Sequence, residues 1–218
     1  MIMRSRQAAV LCVLLGAGTA TAEPGLPPLQ DGDLVFQTSQ SSQSAAILAA
    51  TGHPFTHMGL IRLDPTGPVV IEAQAGVIET PLAEWIARGA GGQVAIYRDA
   101  DLTPDAAETV LRAAGGLLGR PYDPFFRMGD EAIYCSELAW LAYAAAGVEI
   151  GRVEQLGDLD LGDGEVQALI ASRWTADPDC AADADSLEAC LAILQERALV
   201  TPASIAEDAR FSLVVSTY

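Results

Sequence analysis

Few residues in this chain have the chemistry of a reaction centre. Cys135 lies in Tyr134-Cys135-Ser136-Glu137-Leu138, and the 218 residues contain only two histidines, His53 and His57. From Leu138 to Val148 there is no charge, and Leu138, Leu141, Ala142 and Ala145 fall at i, i+3, i+4 and i+7. That spacing, with Trp140 and Tyr143 on the flanks, predicts a buried helix that Gly147 stops. Cys135 then sits on the first turn, where unpaired N–H groups and the helix dipole favour a thiolate. His57 immediately precedes the strand-like Met58-Gly59-Leu60-Ile61. With a turn centred on Pro65-Thr66, it pairs near Glu72, an acid out of place in Val69-Val70-Ile71-Glu72-Ala73. Cross-strand neighbours lie about 5 Å apart, so Glu72 can hold one imidazole nitrogen while the other faces the thiol. Cysteine, histidine and a polar orienter are the parts needed for nucleophilic acyl transfer, and the Cys135 N–H can serve an oxyanion hole.

Each of these residues also has a plainer reading. A lone cysteine on an apolar helix is more often structural, and Glu72 can sit on a solvent-facing side of its strand. His53 is four before His57, but Pro54 between them prevents a one-face helical zinc pair, and we expect a loop residue. Asp158-Leu159-Asp160-Leu161-Gly162-Asp163-Gly164 has the acids of a calcium loop without the required positions, and reads as an acidic turn. We therefore expect no metal and no cofactor.

The elements that must position these residues follow from pattern and turn chemistry. Asp33–Thr38, Met58–Leu63, Val69–Ala73, Gln93–Arg98 and Phe211–Val215 read as strands. Ser41–Thr51, Pro81–Arg88, Glu165–Trp174 and Ser186–Leu199 read as helices. A further helix begins at Thr103-Pro104, with Thr103 as N-cap, and runs to about Leu118. Gly119-Arg120-Pro121-Tyr122-Asp123 breaks it and leads to the Cys135 helix, and Thr201-Pro202 opens a helical turn. With no internal repeats, this predicts a single α+β domain over residues 23–218, an antiparallel sheet packed against a buried helix.

Composition bounds the function. Arg4 and Arg6 precede an apolar run from Ala8 to Leu15, and Ala20-Thr21-Ala22 has the pattern of a signal-peptidase site. The run is too short to span a membrane, so residues 1–22 read as a signal peptide on a periplasmic or secreted protein with no transmembrane segment after cleavage. Removing Arg4 and Arg6 from the 12 basic residues leaves 10 arginines against 29 acids, a formal charge of −19, and there is no lysine anywhere. A Walker-type phosphate loop, a Schiff-base lysine and a basic nucleic-acid groove are excluded. Cys180 and Cys190, in an acidic segment, are expected to form a disulfide once exported. Cys135 is then the unpaired thiol.

Gly119-x-Pro121-Tyr122, followed by Cys135-Ser136 at a helix start, resembles the corresponding stretch of NlpC-type cell-wall peptidases, which are papain-like cysteine hydrolases. In those enzymes the histidine follows the cysteine, whereas here it precedes. That order is similar to the circularly permuted branch, the YiiX/YebB-type amidases. Gly32–Ser39, Ser42-Gln43-Ser44, Thr56-His57-Met58-Gly59, Ile71-Glu72-Ala73, Tyr134–Leu138 and Thr201-Pro202 carry the resemblance, which does not extend to the segment 175–198. It implies a circularly permuted papain-like (NlpC-type) fold with Cys135 as nucleophile, His57 as its base and Glu72 as third member. Tyr134 and Tyr122 are the candidate oxyanion or substrate-binding side chains. The expected substrate is a peptide bond of cell-wall peptidoglycan. The alternatives are a lipid amidase, thioesterase or acyltransferase on the same site, and a catalytically silent binding module. A wide apolar groove beside Cys135 favours the acyl reading, and polar groups that hold a free amine and carboxylate favour the peptide.

Overall fold

A computed structural model describes residues 25–129 and 131–218; the expected signal peptide, including Cys12, lies outside the described residues. The strands are β1 (Leu34–Gln37), β2 (His57–Asp64), β3 (Gly67–Ala73), β4 (Val77–Pro81), β5 (Ala95–Asp99), β6 (Val153–Gln155), β7 (Ala198–Val200) and β8 (Phe211–Ser216). The helices are α1 (Ser44–Thr51), α2 (Leu82–Arg88), α3 (Pro104–Gly116), α4 (Cys135–Ala145), α5 (Gly164–Arg173), α6 (Pro178–Asp183), α7 (Leu187–Gln195) and α8 (Pro202–Ala206). One sheet runs β4-β3-β2-β1-β5-β8, with every pair antiparallel, and β6 pairs with β7 in a second.

The large sheet separates two apolar layers because alternate side chains point to opposite faces. Leu34, Phe36, Met58, Leu60 and Ile71 face α4, whereas Val35, Ile61 and Val70 face Leu82 and Trp85 of α2. Along α4 the buried stripe is Leu138, Ala139, Ala142 and Tyr143, while Leu141 is only partly buried and Ala145 is exposed, because the last turn emerges from the core. Gly147, at φ +74°, ends the helix, and the N–H groups of Gly147 and Val148 donate to the carbonyls of Ala144 and Tyr143. Thr103 caps α3 through the Ala106 N–H, as its position predicts.

Three expectations about elements need correction. The segment read as one helix over Ser186–Leu199 stops at Gln195 and continues as β7, whose short apolar Leu199-Val200 finds a partner in β6. β4, β6 and α6 are short, have no strong periodic pattern and are absent from the sequence reading. The hairpin turn is as tight as expected, with Asp64 opposite Gly67 and the Asp64 carboxylate accepting from Thr66. Its register pairs Leu60 with Ile71, which sets His57 and Glu72 two residues out of direct opposition, as diagonal neighbours.

Cys180 and Cys190 form a disulfide that joins α6 to α7 and is fully buried in a small third core with Ala46, Val166, Ile170 and Leu194. Replacing both cysteines with alanine should lower stability by about 2–3 kcal/mol, read as a shift of the denaturant midpoint. An unchanged midpoint would mean that the helix pair holds without its bridge.

Candidate active site

Cys135 is the first residue of α4, almost wholly buried, at the end of the helix where the backbone N–H groups have no intrahelical partner. The helix start is fixed by Glu137, whose carboxylate accepts from the Tyr134 and Gly129 N–H groups. Ser136 is spent on structure, donating to the Val200 carbonyl. His57, the first residue of β2, directs its imidazole at two partners. Nε2 lies 2.6 Å from a Glu72 carboxylate oxygen, and the ring is close enough to Cys135 to interact with its sulfur. With Nε2 taken by Glu72, Nδ1 is the nitrogen left for the sulfur.

Glu72 is fully buried and collects donors from three further side chains. Thr80 of β4 donates to Oε1, the Trp85 indole N–H to Oε2 at 3.1 Å, and Arg88 Nη2 to both oxygens at 2.7 and 2.6 Å. The Trp85 ring also stacks on His57, centroids 5.9 Å apart. Trp85 and Arg88 are three residues apart on α2 and so share the face that covers the carboxylate. Burial alone would raise the Glu72 carboxyl, but hydrogen bonds and charge from His57, Arg88 and Thr80 hold it at about 2. Burial likewise disfavours the His57 cation, yet the hydrogen bonds and negative charge of Cys135 and Glu72 raise it to about 9. The group therefore holds an imidazolium between a carboxylate and the Cys135 sulfur.

The other sequence candidates divide. Tyr122 donates to Gln43 Oε1 at 3.2 Å and borders the same trough as His57; burial, then the neighbouring Cys135 and Asp123, push its phenol upward. Tyr134 is buried, its hydroxyl accepting from the Val200 N–H, and its ring packs edge-on against Phe126. Its hydroxyl is thus committed to β7. His53 stays in the loop, its Nδ1 accepting from the Phe55 N–H, and burial lowers its pKa. The Asp158–Gly164 stretch is a turn in which Asp163 caps α5. Thr80, Trp85 and Arg88 were missed; the one signal for them was a tryptophan and an arginine three apart on a short helix close in sequence to Glu72.

Two depressions meet at this group. A polar trough, lined by Ser39–Gln43, Gln74, Arg88 and Tyr122, includes His57. An apolar cavity, about 850 Å³ counting its open mouth, includes Cys135 and is walled by α1, α5, α7, β7 and Pro124–Phe126. Ile47 and Thr56 line both. The hydroxyls on the cavity wall are mostly turned into the protein: Ser136 bonds to Val200, Thr51 to Ile47, Thr56 to Ser44 and Thr201 to Glu154. What faces the space is chiefly hydrocarbon. Among the described residues no three His, Cys, Asp or Glu side chains are gathered to hold a metal ion, and no helix is long and apolar enough to cross a membrane.

Comparisons with known proteins agree with this geometry. Residues 28–215 match the family described as permuted papain-like amidase enzyme, YaeF/YiiX, C92 family. The chain is 37% identical over 147 residues to the uncharacterized protein YiiX of Escherichia coli K12, covering 66% of this chain and 73% of that protein. It also resembles the crystal structure of metalloprotein yiiX (DUF1105) from Escherichia coli O157:H7, with TM-score 0.76 and 31% identity over 87% of this chain and 98% of that one. The metal-binding description belongs to that protein; in this chain the described donors do not gather into such a site. A histidine on β2 that precedes the cysteine of a buried helix, on an antiparallel sheet, is the permuted papain-like order, and this chain belongs to the YaeF/YiiX family of permuted papain-like amidases.

Proposed function

We propose that this protein is an exported cysteine amidase that cleaves the bond between an aliphatic acyl group and a polar amine. The observation that supports the reading is the seam at the catalytic pair: Cys135 borders the apolar cavity, and His57 borders the polar trough. The Cys135 sulfur attacks the carbonyl carbon of an acyl chain lying in the cavity, and its own N–H stabilises the oxyanion. The carbon–nitrogen bond breaks as His57 passes its proton to the leaving amine in the trough. Water then attacks the thioester, His57 takes the water's proton, and the acid leaves with Cys135 restored. Glu72 keeps the imidazole oriented and charged throughout.

A cell-wall peptide, the substrate that compartment and family first suggest, would put a polar acyl residue against this hydrocarbon wall. The trough is the more polar of the two sides, and the cavity wall is chiefly hydrocarbon with its hydroxyls turned inward, so the acyl amide fits better. Incubating purified protein with N-decanoyl amides and with cell-wall muropeptides, and reading products by mass, tests the choice. Decanoate release with intact muropeptides is expected; cleaved muropeptides with intact acyl amides would reverse it. Export is tested by the mature N-terminus, expected at Glu23.

The raised value of His57 gives a pH expectation. Its proton is held up to about pH 9, so kcat/KM should fall only above that point, as the leaving amine loses its acid. An alkaline limb centred near 6.5 would mean that the imidazole is not held by its two partners. Stability follows the same group: its contribution is complete below the unfolded value of about 6.5 and fades as pH rises through about 9.

A further inference from the structure

Phe126, on the wall of the apolar cavity, is the one non-glycine residue with a left-handed backbone among the described residues, at φ +57°. A bulky L side chain rarely adopts that conformation, because its Cβ crowds the backbone there. The turn is imposed from both sides. The buried Asp123 carboxylate accepts from the Phe125 N–H at 2.8 Å and from the Arg127 N–H at 2.6 Å, so it brackets the residue. Arg197 Nη1 donates to the Phe125 carbonyl at 2.8 Å, Arg173 Nη1 donates to the Pro124 carbonyl, and Glu137 accepts from the Gly129 N–H. These bonds are made by the neighbours of Phe126; what the left-handed backbone adds is the direction of its ring. That ring stands edge-on against Tyr134, centroids 5.5 Å apart and planes at 90°. Tyr134 directly precedes Cys135 and is itself locked through its hydroxyl to Val200. Phe126, Tyr134 and Cys135 all line the cavity, which places the ring at the end where the nucleophile opens onto it.

We propose that Phe126 is the specificity-determining residue of the acyl side: its ring narrows the cavity beside Cys135 so that an unbranched chain enters and a chain branched next to its carbonyl does not. This rests on the acyl-amide reading above and deepens it, from aliphatic acyl groups in general to straight ones. Backbone strain persists where the surroundings over-determine it, and it clusters at ligand clamps. Here those surroundings are the Asp123 carboxylate and two arginines. A ring on a relaxed loop would move aside for a methyl branch. One fixed by its backbone and by a locked tyrosine excludes the branch, because a packed wall takes extra carbon only by shifting.

The test compares kcat/KM for N-decanoylglycinamide and N-(2-methyldecanoyl)glycinamide. Wild type should favour the straight amide by at least about 10-fold, the discrimination that one methyl group gives in an apolar pocket. Phe126→Gly, which accepts the left-handed backbone without strain, should bring the ratio toward unity by raising kcat/KM for the branched amide. Phe126→Tyr should keep the preference. Phe126→Ala should match Phe126→Gly in selectivity but unfold at lower denaturant, which reads the strain separately from the ring. A midpoint for Phe126→Ala no lower than that of Phe126→Gly would overturn the strained turn on which the proposal stands. Equal kcat/KM for the two amides in wild type would overturn the proposal and leave the acyl reading standing. So would a preference that survives Phe126→Gly, or a loss of both amides in equal measure, which would mark the ring as packing alone. If wild type cleaved neither amide but cut muropeptides, the acyl reading would fall and this proposal with it.

Discussion

Replacing His57 with alanine should cut turnover by roughly 10⁴-fold or more and abolish the fast alkylation of Cys135 at neutral pH. The imidazole bonds to Glu72 and interacts with the Cys135 sulfur, and its proton is held to about pH 9, so it is the positive charge beside the nucleophile and the acid that the leaving amine requires. Removing it takes away both at once. Iodoacetamide followed by peptide mass mapping reads the first effect, because Cys135 is the single free cysteine among the described residues. In the folded wild type, labelling at pH 7 should fall on Cys135 alone. If labelling required denaturation in wild type as well, Cys135 would be a core residue and the enzyme reading would fail with it. Cys135→Ala should abolish turnover outright while the fold persists, since a small side chain is removed from the edge of the cavity.

Glu72 carries the second large effect, and there activity and stability separate. Glu72→Gln keeps the shape of the group but removes the charge that holds His57 protonated. His57 should then titrate lower, and turnover should fall by roughly 10-fold or more. Glu72→Ala is more damaging, because His57, Thr80, Trp85 and Arg88 all lose an acceptor inside the protein. Breaking a buried pair by deleting one partner typically costs about 3–5 kcal/mol, so the denaturant midpoint should drop well below that of Glu72→Gln. The carboxyl's value near 2 adds a sign: its contribution is complete above the unfolded value of about 4.3 and is lost as pH falls through about 2. Unfolding curves and alkylation rates against pH, for wild type and Glu72→Gln, are the measurements. Coincident rate profiles with unchanged turnover would leave Glu72 a purely structural acid.

Arg88, like Thr80 and Trp85, has no counterpart as a site residue in the sequence reading. Its guanidinium, a third exposed, spans the two Glu72 oxygens and reaches Gln74 at the border of the trough. It thereby fastens α2 to β3 across the buried carboxylate, with part of its surface still available to solvent. The charges around Glu72 sum to a satisfied carboxylate between one fixed cation and one titrating cation. That balance lets an acid with no direct access to water stay ionised.

By itself the sequence determined whatever is set by local periodicity and by side chains close along the chain. The uncharged run after Cys135 dictates a buried helix, and Gly147 dictates its end. Asp64 and Pro65 close the hairpin, and an acid inside an apolar strand marks Glu72 before any fold is known. The turn centred on Pro65-Thr66 is the one observed, and it sets position 57 opposite 74, so that Glu72 is the diagonal neighbour of His57. Tertiary structure alone decided the rest. The donors on Glu72 come from β4 and α2, and whether Trp85 and Arg88 face the carboxylate depends on how α2 lies on the sheet. The apolar cavity is assembled from α1, α5, α7 and β7, segments up to about 150 residues apart whose apolar positions read individually as ordinary core. A space between packed elements leaves no pattern in any one of them, because it is made of the distances that packing sets and not of any residue's own preference.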